Sequence, residues 1–351
     1  MPPFPATSRA YAGRSDLSAM EAIVSAAWAS PARPLVHCTV GDLEWWLVGG
    51  GPDVDWSTRI RVWSIGGDPV GWGWFTPPAS LDWFVRFGLK RDEESAIRDE
   101  ILAWHVDRAR AVAAETPVAP ASGATGTPGA TGESSTTDPV RLEVWAADGW
   151  SEAAILPDRG WTPTDVVLTQ FIQPLDFDLD PPRVPDGYVL RSMRGPDDIP
   201  ARVEAHRAAF APSRMTVEKH ALLTGLDHYA LDRDIVLEAA DGSVAAFAIC
   251  WEDRVGSIGE FEPVGTHPDH QRRGLGRVIM RHGLRLMRES GLRDALVFSL
   301  RSNAASEALY RSAGFDEVAL HRQYTRPLDL QRPNRRVRSG ESSRRQPAGN
   351  P

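Results

Sequence analysis

The residues best suited to chemistry in this chain lie between positions 260 and 310. Gln271-Arg272-Arg273-Gly274-Leu275-Gly276 separates an alternating apolar run ending at Val264 from an amphipathic run beginning at Val278, which reads as strand, tight loop and helix. Glycines at 274 and 276 let the backbone approach a ligand closely, and amides that open a helix favour phosphate. Arg272, Arg273 and Arg277 add cations at the same spot. Glu260 and Glu262 stand two apart on the preceding strand, hence on one face. A partly desolvated carboxylate there can take a proton from an ammonium; the competing reading is a solvated strand residue. Tyr310 follows Asn303 by seven residues, about two turns along one helix face. Its phenol, with an ordinary pKa of about 10, can protonate a leaving group or simply pack in a core.

The rest of the C-terminal half positions these groups. Strands are expected at Tyr188–Met193, Ile235–Ala240, Ser243–Trp251, Ile258–Thr266 and Ala295–Leu300. Helices are expected at Ile199–Phe210, Thr216–Gly225, Gly274–Glu289 and Ala304–Ala313, with two closing strands up to Arg326. Short turns such as Asp241-Gly242 imply antiparallel pairing, whereas the unit from Ile258 to Leu300 is a parallel crossover. The fold class is therefore α/β (α+β), a mixed sheet with helices on both faces. Ser151-Glu152-Ala153-Ala154 through Arg159-Gly160-Trp161 to Gln170-Phe171 parallels Ser306-Glu307-Ala308-Leu309 through Ala313-Gly314-Phe315 to Gln323-Tyr324, the mark of an internal duplication. In the first copy the corresponding strand, Leu81–Leu89, runs into Lys90-Arg91-Asp92-Glu93-Glu94-Ser95. Those acids suit a helix dipole and repel a pyrophosphate, so the N-terminal half is read as degenerate.

The Gln-x-x-Gly-x-Gly loop, its flanking strand and helix, and Asn303 with Tyr310 and Gly314-Phe315 resemble the GNAT superfamily of N-acetyltransferases over residues 187–328. The resemblance implies acetyl-CoA as co-substrate, its pyrophosphate on Gln271 to Arg277 and its pantetheine arm on the backbone of Val264 and Thr266. It also implies Asn303 orienting that arm, Glu260 (with Glu262 behind it) as general base, and Tyr310 as the acid for the thiolate. Pro263 has no N–H, so the oxyanion donor falls to Val264 or a neighbour. The tandem plan is similar to that of the mycothiol synthases, which acetylate a cysteinyl amine; the tryptophan-rich N-terminal half and the 115–139 insertion depart from it. The function implied is N-acetyl transfer to a primary amine of a small molecule or peptide. The alternative is a non-catalytic acyl-CoA-binding or sensing module that regulates a partner.

Length and composition bound these readings. At 351 residues the chain holds two ordinary domains, read as 1–175 (with a flexible insertion at 115–139), a linker at 176–186, a catalytic domain at 187–328 and a disordered basic tail at 329–351. A hydrophobic content of 42% with 25% charged residues describes a soluble globular protein, and a net charge of -8 argues against nucleic acid as a partner. No apolar run approaches membrane-spanning length, and the N-terminus has no signal-peptide pattern. Cys38 and Cys250 stand alone in sequence, as expected of a cytoplasmic protein. His267 and His270 gather no third ligand, so they are read as rimming the loop and no metal is expected. Twelve of the 13 tryptophans precede residue 162, among them Trp72 and Trp74 on one strand face, and are read as core.

Overall fold

A computed structural model describes residues 6–31, 33, 36–115 and 140–330. The proposed insertion at 115–139 (beyond Glu115) and the tail beyond Leu330 lie outside the described residues. In each half the same order of elements appears. The first half runs β1 (Ala6–Ala10), α1 (Arg14–Trp28), α2 (Val40–Gly50), β2 (Ile60–Ile65), β3 (Asp68–Thr76), β4 (Ser80–Val85), α3 (Arg91–Glu115), β5 (Arg141–Ala147), α4 (Ser151–Ile155) and β6 (Thr162–Pro174). The second runs β7 (Tyr188–Ser192), α5 (Ile199–Ala209), α6 (Val217–Ala221), β8 (Asp234–Ala239), β9 (Val244–Asp253), β10 (Ile258–Thr266), α7 (Leu275–Glu289), β11 (Asp294–Leu300), α8 (Ala304–Ala313) and β12 (Asp316–Pro327). Helix α7 shows why the pattern is legible: Leu275, Val278, Ile279, Leu284 and Met287 are buried at helical spacing, while arginines fill the other face.

All strands join one 12-stranded sheet in the order β1-β2-β3-β4-β5-β12-β6-β11-β10-β9-β8-β7. The middle of that order was not foreseen. Leu168–Pro174 of β6 pair antiparallel with β11 of the other half, from Leu300 to Asp294. His321–Pro327 of β12 pair with β5 of the first half, from Ala147 to Arg141, and β6 and β12 pair with each other. Each half thus lends its last strand to the other. Cores interleave accordingly: Phe171 of β6 and the adjoining Leu175 are buried with Phe261, Leu284 and Tyr310, whereas Tyr324 and Leu328 are buried with Ile97, Ile101 and Trp161.

One expectation changes. The closing segment is a single long strand, as is its counterpart β6. No glycine, asparagine or internal proline lies between Asp316 and Arg326 to turn the chain, and both neighbouring strands offer hydrogen-bonding partners along its length. The tryptophans behave as core: Trp72 and Trp74 are buried on β3, and Trp46 and Trp56 meet Trp74 edge-on at 5.4 and 5.1 Å. Residues 175–187 form neither helix nor strand, and Asp178 and Asp180 pair with Arg288 and Arg281 of α7.

Candidate active site

Strand β10 creates the site by leaving its neighbour. It pairs in parallel with β11 only from Ile258 to Glu260, opposite Asp294 to Leu296, while β11 continues along β6 to Leu300. On its other side β10 stays bonded to β9, with a register shift between Phe261 and Val264 that spans Glu262 and Pro263. From Phe261 to Thr266 the strand therefore turns an edge without a β11 partner towards the opening, the kind of edge to which an extended amide chain can add.

At the end of β10 the chain makes a one-turn helix (Pro268–His270), in which the Asp269 amide donates to His267 Nδ1 at 3.3 Å. His270 Nδ1 lies 3.0 Å from the Tyr188 hydroxyl, so both histidines shape this turn. Gln271 follows, with Nε2 3.5 Å from the Thr266 carbonyl, and Arg272 is held at a left-handed φ of 59°. Arg273 donates to the Tyr188 hydroxyl (3.0 Å) and the Asp269 carbonyl (3.2 Å). Gly274 caps α7 with φ 78° and open space on its Cβ side, and no side chain among the described residues satisfies the first-turn amides of Leu275 and Gly276. Gly276 has a different duty: a Cβ there would stand 3.0 Å from Leu309, so the glycine lets α7 and α8 pack. Arg277 lines a cavity of about 550 Å³ with Arg281, Arg311 and Phe177; none of the three catalytic candidates borders it.

At the fork of the splay Glu260 is buried, and the Thr39 hydroxyl of the first half donates to its Oε2. Thr39 caps α2, and Asp42, three residues on, completes the capping box. Asp42 lies near enough to Glu260 for the charge of one to bear on the other. Burial and then the Asp42 charge hold Glu260 well above the usual carboxylate range. Burial likewise lifts Asp42 to about 7, and burial followed by the Asp42 charge lifts Glu262 to about 8. Tyr310 is buried, touched edge-on by Phe171 at 5.8 Å, its phenol raised first by burial and then by the charge of Glu262. Glu260, Glu262 and Tyr310 are therefore gathered at one place. Asn303 is set at the N-cap of α8, where its side chain accepts the Ser306 amide at 3.2 Å.

The sequence reading missed Thr39, Asp42 and Phe171. The Thr-x-x-Asp capping box was visible as the start of a helix, but nothing local says that the helix starts against Glu260, 221 residues away. Phe171 reaches Tyr310 only through the strand exchange.

Residues 203–315 match the family described as Acetyltransferase (GNAT) family. Mycothiol acetyltransferase of Saccharomonospora viridis is 29% identical over 198 residues, covering 52% of this chain and 64% of that protein. Mycothiol acetyltransferase of Tsukamurella paurometabola is 32% identical over 197 residues, covering 52% and 66%. The chain thus spans slightly less than two thirds of the length of these relatives. Among solved structures, a GCN5-related N-acetyltransferase from Sphaerobacter thermophilus superposes with a TM-score of 0.62 at 15% identity, covering 93% of this chain and 96% of that one. A tandem GNAT protein from the clavulanic acid biosynthesis pathway gives 0.59 at 15% identity, covering 92% and 99%. Residues 203–315 thus match the GNAT acetyltransferase family, and the chain as a whole has the tandem GNAT fold.

Proposed function

We infer that this protein is an acetyl-CoA-dependent N-acetyltransferase that acts on a primary amine of a small molecule or peptide by direct attack on the thioester. The observation that supports this reading most is the splay of β10 from β11 directly beyond Glu260, with Glu262 and Tyr310 around it and a glycine-capped helix start at its mouth. The residues present fit coenzyme A: the open face at Gly274, the free first-turn amides of α7 and the exposed Arg272 suit a pyrophosphate. When bound, it supplies the activated acetyl group. The backbone of Val264 and Thr266 lies on the edge that would hold its arm, and Asn303, Arg273 and Gln271 shape the ends of the opening.

The chain's own residues then handle protons and charge. An amine acceptor arrives as an ammonium; its charge lowers the pKa of Asp42, Glu260 and Glu262, and Glu260 gives up its own proton to solvent as the acceptor binds. Glu260 takes the ammonium proton, leaving a nucleophilic amine. Tyr310, protonated throughout the physiological range, gives its proton to the departing sulfur. Thr39 and Asp42 hold Glu260, so the first half completes the acceptor side even where its own loop has lost the phosphate motif. The mycothiol acetyltransferase relatives favour a small-molecule amine as the acceptor. Cys38 and Cys250 are both buried free thiols, and no helix among the described residues is long and apolar enough to cross a membrane; a cytoplasmic setting is the reading adopted.

The test is free-thiol release by the purified chain from acetyl-CoA in the presence of single amines from a library, with Glu260→Gln in parallel. Release that depends on one amine and falls in Glu260→Gln supports the reading. Coenzyme A binding without release for any amine would favour the sensing module instead.

A further inference from the structure

Glu21 on α1, Glu44 on α2 and His228, in the segment between α6 and β8, converge where the two halves meet. One ligand atom from each lies within 4.8 Å of the others. Glu44 is 1% exposed and Glu21 7%, whereas His228 is half-buried. The orientation of Glu44 is fixed: its Oε1 accepts the Asp227 amide at 2.8 Å, and its Oε2 accepts the His228 amide at 3.1 Å. His228 Nε2 lies 3.8 Å from Glu21 Oε2, too far for a hydrogen bond. Glu21 Oε1 is buried without a hydrogen-bond partner among the described residues. The neighbouring Arg14 is committed elsewhere, to Asp227 and to the Gly225 carbonyl at 3.1 Å.

Charge makes this arrangement incomplete. When both carboxylates are ionised they leave a net negative charge even beside a protonated imidazole, and an uncompensated buried charge is costly. A divalent cation bound to a neutral imidazole and two carboxylates brings the sum to zero. The donor set, one nitrogen and two carboxylate oxygens, suits zinc and its first-row neighbours. Ligand atoms around a tetrahedral zinc stand about 3.4 Å apart, so side-chain movement of about 1 Å closes the trio on an ion. The exposed side of His228 leaves an entry path and room for a water as fourth ligand.

We propose that Glu21, Glu44 and His228 bind a divalent transition-metal ion, which clasps α1 and α2 of the first half to the second. The ion has no place in acetyl transfer; it acts on position. Helix α2 begins at Thr39 and Asp42, which hold Glu260, and the residue after His228, Tyr229, packs on Trp251 beside the same strand. Occupancy fixes the first half's contribution to the acceptor side. The ligands are 23 and 184 residues apart in sequence, so no local spacing announces them.

The experiment uses the full chain after exhaustive chelation, titrated with zinc by calorimetry and with cobalt by visible spectroscopy, whose d–d bands report coordination directly. One equivalent is expected. Affinity should fall roughly tenfold or more in both Glu21→Gln and His228→Gln, each checked for its fold by circular dichroism. Zinc should raise the melting temperature of the wild type and not that of Glu21→Gln, which preserves shape and removes only charge. Absence of binding by the wild type would overturn the proposal and leave an ion pair between His228 and Glu21. Binding of equal strength in the wild type and both variants would overturn it too, placing the ion elsewhere.

Discussion

The two halves open their sheets at the same place, and aromatic side chains fill the opening of the first. In the first half β4 pairs with β5 only at Ser80 and Leu81; in the second β10 pairs with β11 only up to Glu260. Asp82 is the counterpart of Glu260, and each stands opposite a buried tryptophan: Trp74 on β3 and Trp251 on β9. Asp82 is likewise lifted by burial, to about 7, and it too feels Asp42. Beyond that point the halves part. His37, Trp83, Phe84, Trp145 and Trp150 close around the first opening and leave a void of about 10 Å³, room for a water. The helix that follows starts with Asp92, Glu93 and Glu94, and Glu93 accepts the Lys90 amide at 3.2 Å, so its N-terminus is capped from within. Backbone geometry is thus common to both halves; the side chains filling the splay and capping the next helix set them apart.

The largest effect that can break this comparison comes from cutting the chain. Residues 187–328 expressed alone lack β6, leaving β11 with only its short pairing to β10 and β12 without either partner, so they should give no folded monomer by size-exclusion chromatography. Co-expression with 1–186 should restore a soluble complex. A folded, monomeric C-terminal half would show the exchanged strands to be dispensable. Next, Gly274→Val forces a branched side chain to φ 78° at the cap of α7. Acetyl-CoA affinity measured by calorimetry should fall by about 100-fold, from a wild-type stoichiometry of one site per chain; two equivalent sites would end the case for a degenerate first half.

Third, Glu260→Gln should lower kcat by about 100-fold with little change in acetyl-CoA affinity, Tyr310→Phe by about tenfold, and Asp82→Asn by only a few-fold. Equal losses in Glu260→Gln and Asp82→Asn would erase the distinction between the halves. The smallest effect is on stability. In the native state Asp42, Asp82 and Glu262 keep their protons up to about 7, 7 and 8, whereas unfolded carboxyl groups lose them near 4. Between these limits the folded protein binds more protons, so stability is full below about pH 4 for these groups and declines as pH rises through 7 to 8. Thermal melts from pH 5.5 to 9 should show that decline, and Asp42→Asn should flatten it. A melting temperature that rises across that range would contradict the buried, protonated cluster.

Much of the second half was legible because its signals are local. Strand β10 and helix α8 have the limits expected from the sequence, and α7 begins one residue later than expected. The turn at Gly274 was legible for the same reason, since a glycine must stand where the backbone turns. Gly276 illustrates the limit: its spacing says close approach, and the close approach in the structure is to Leu309. What stayed hidden rests on long-range pairing. The exchange of β6 and β12 leaves no mark on either strand, because each is buried in a sheet whichever half supplies its neighbours. Thr39 and Asp42 read as an ordinary capping box, and Asp82 as a polar position in an apolar strand, until the packing places them around one cluster of carboxyl groups.

The exchanged strands also set an order of events during synthesis. Strand β5 is made before residue 150, yet the strand that covers its free edge is not complete until Pro327 has left the ribosome. Pairings of that sequence separation are slow to find and expose apolar edges meanwhile. For nearly half the length of the chain the nascent first half must carry an open edge backed by Leu142, Val144 and Trp145. The protein should therefore depend on a chaperone, or on slow translation near its end, more than a tandem of two self-contained domains of equal length would.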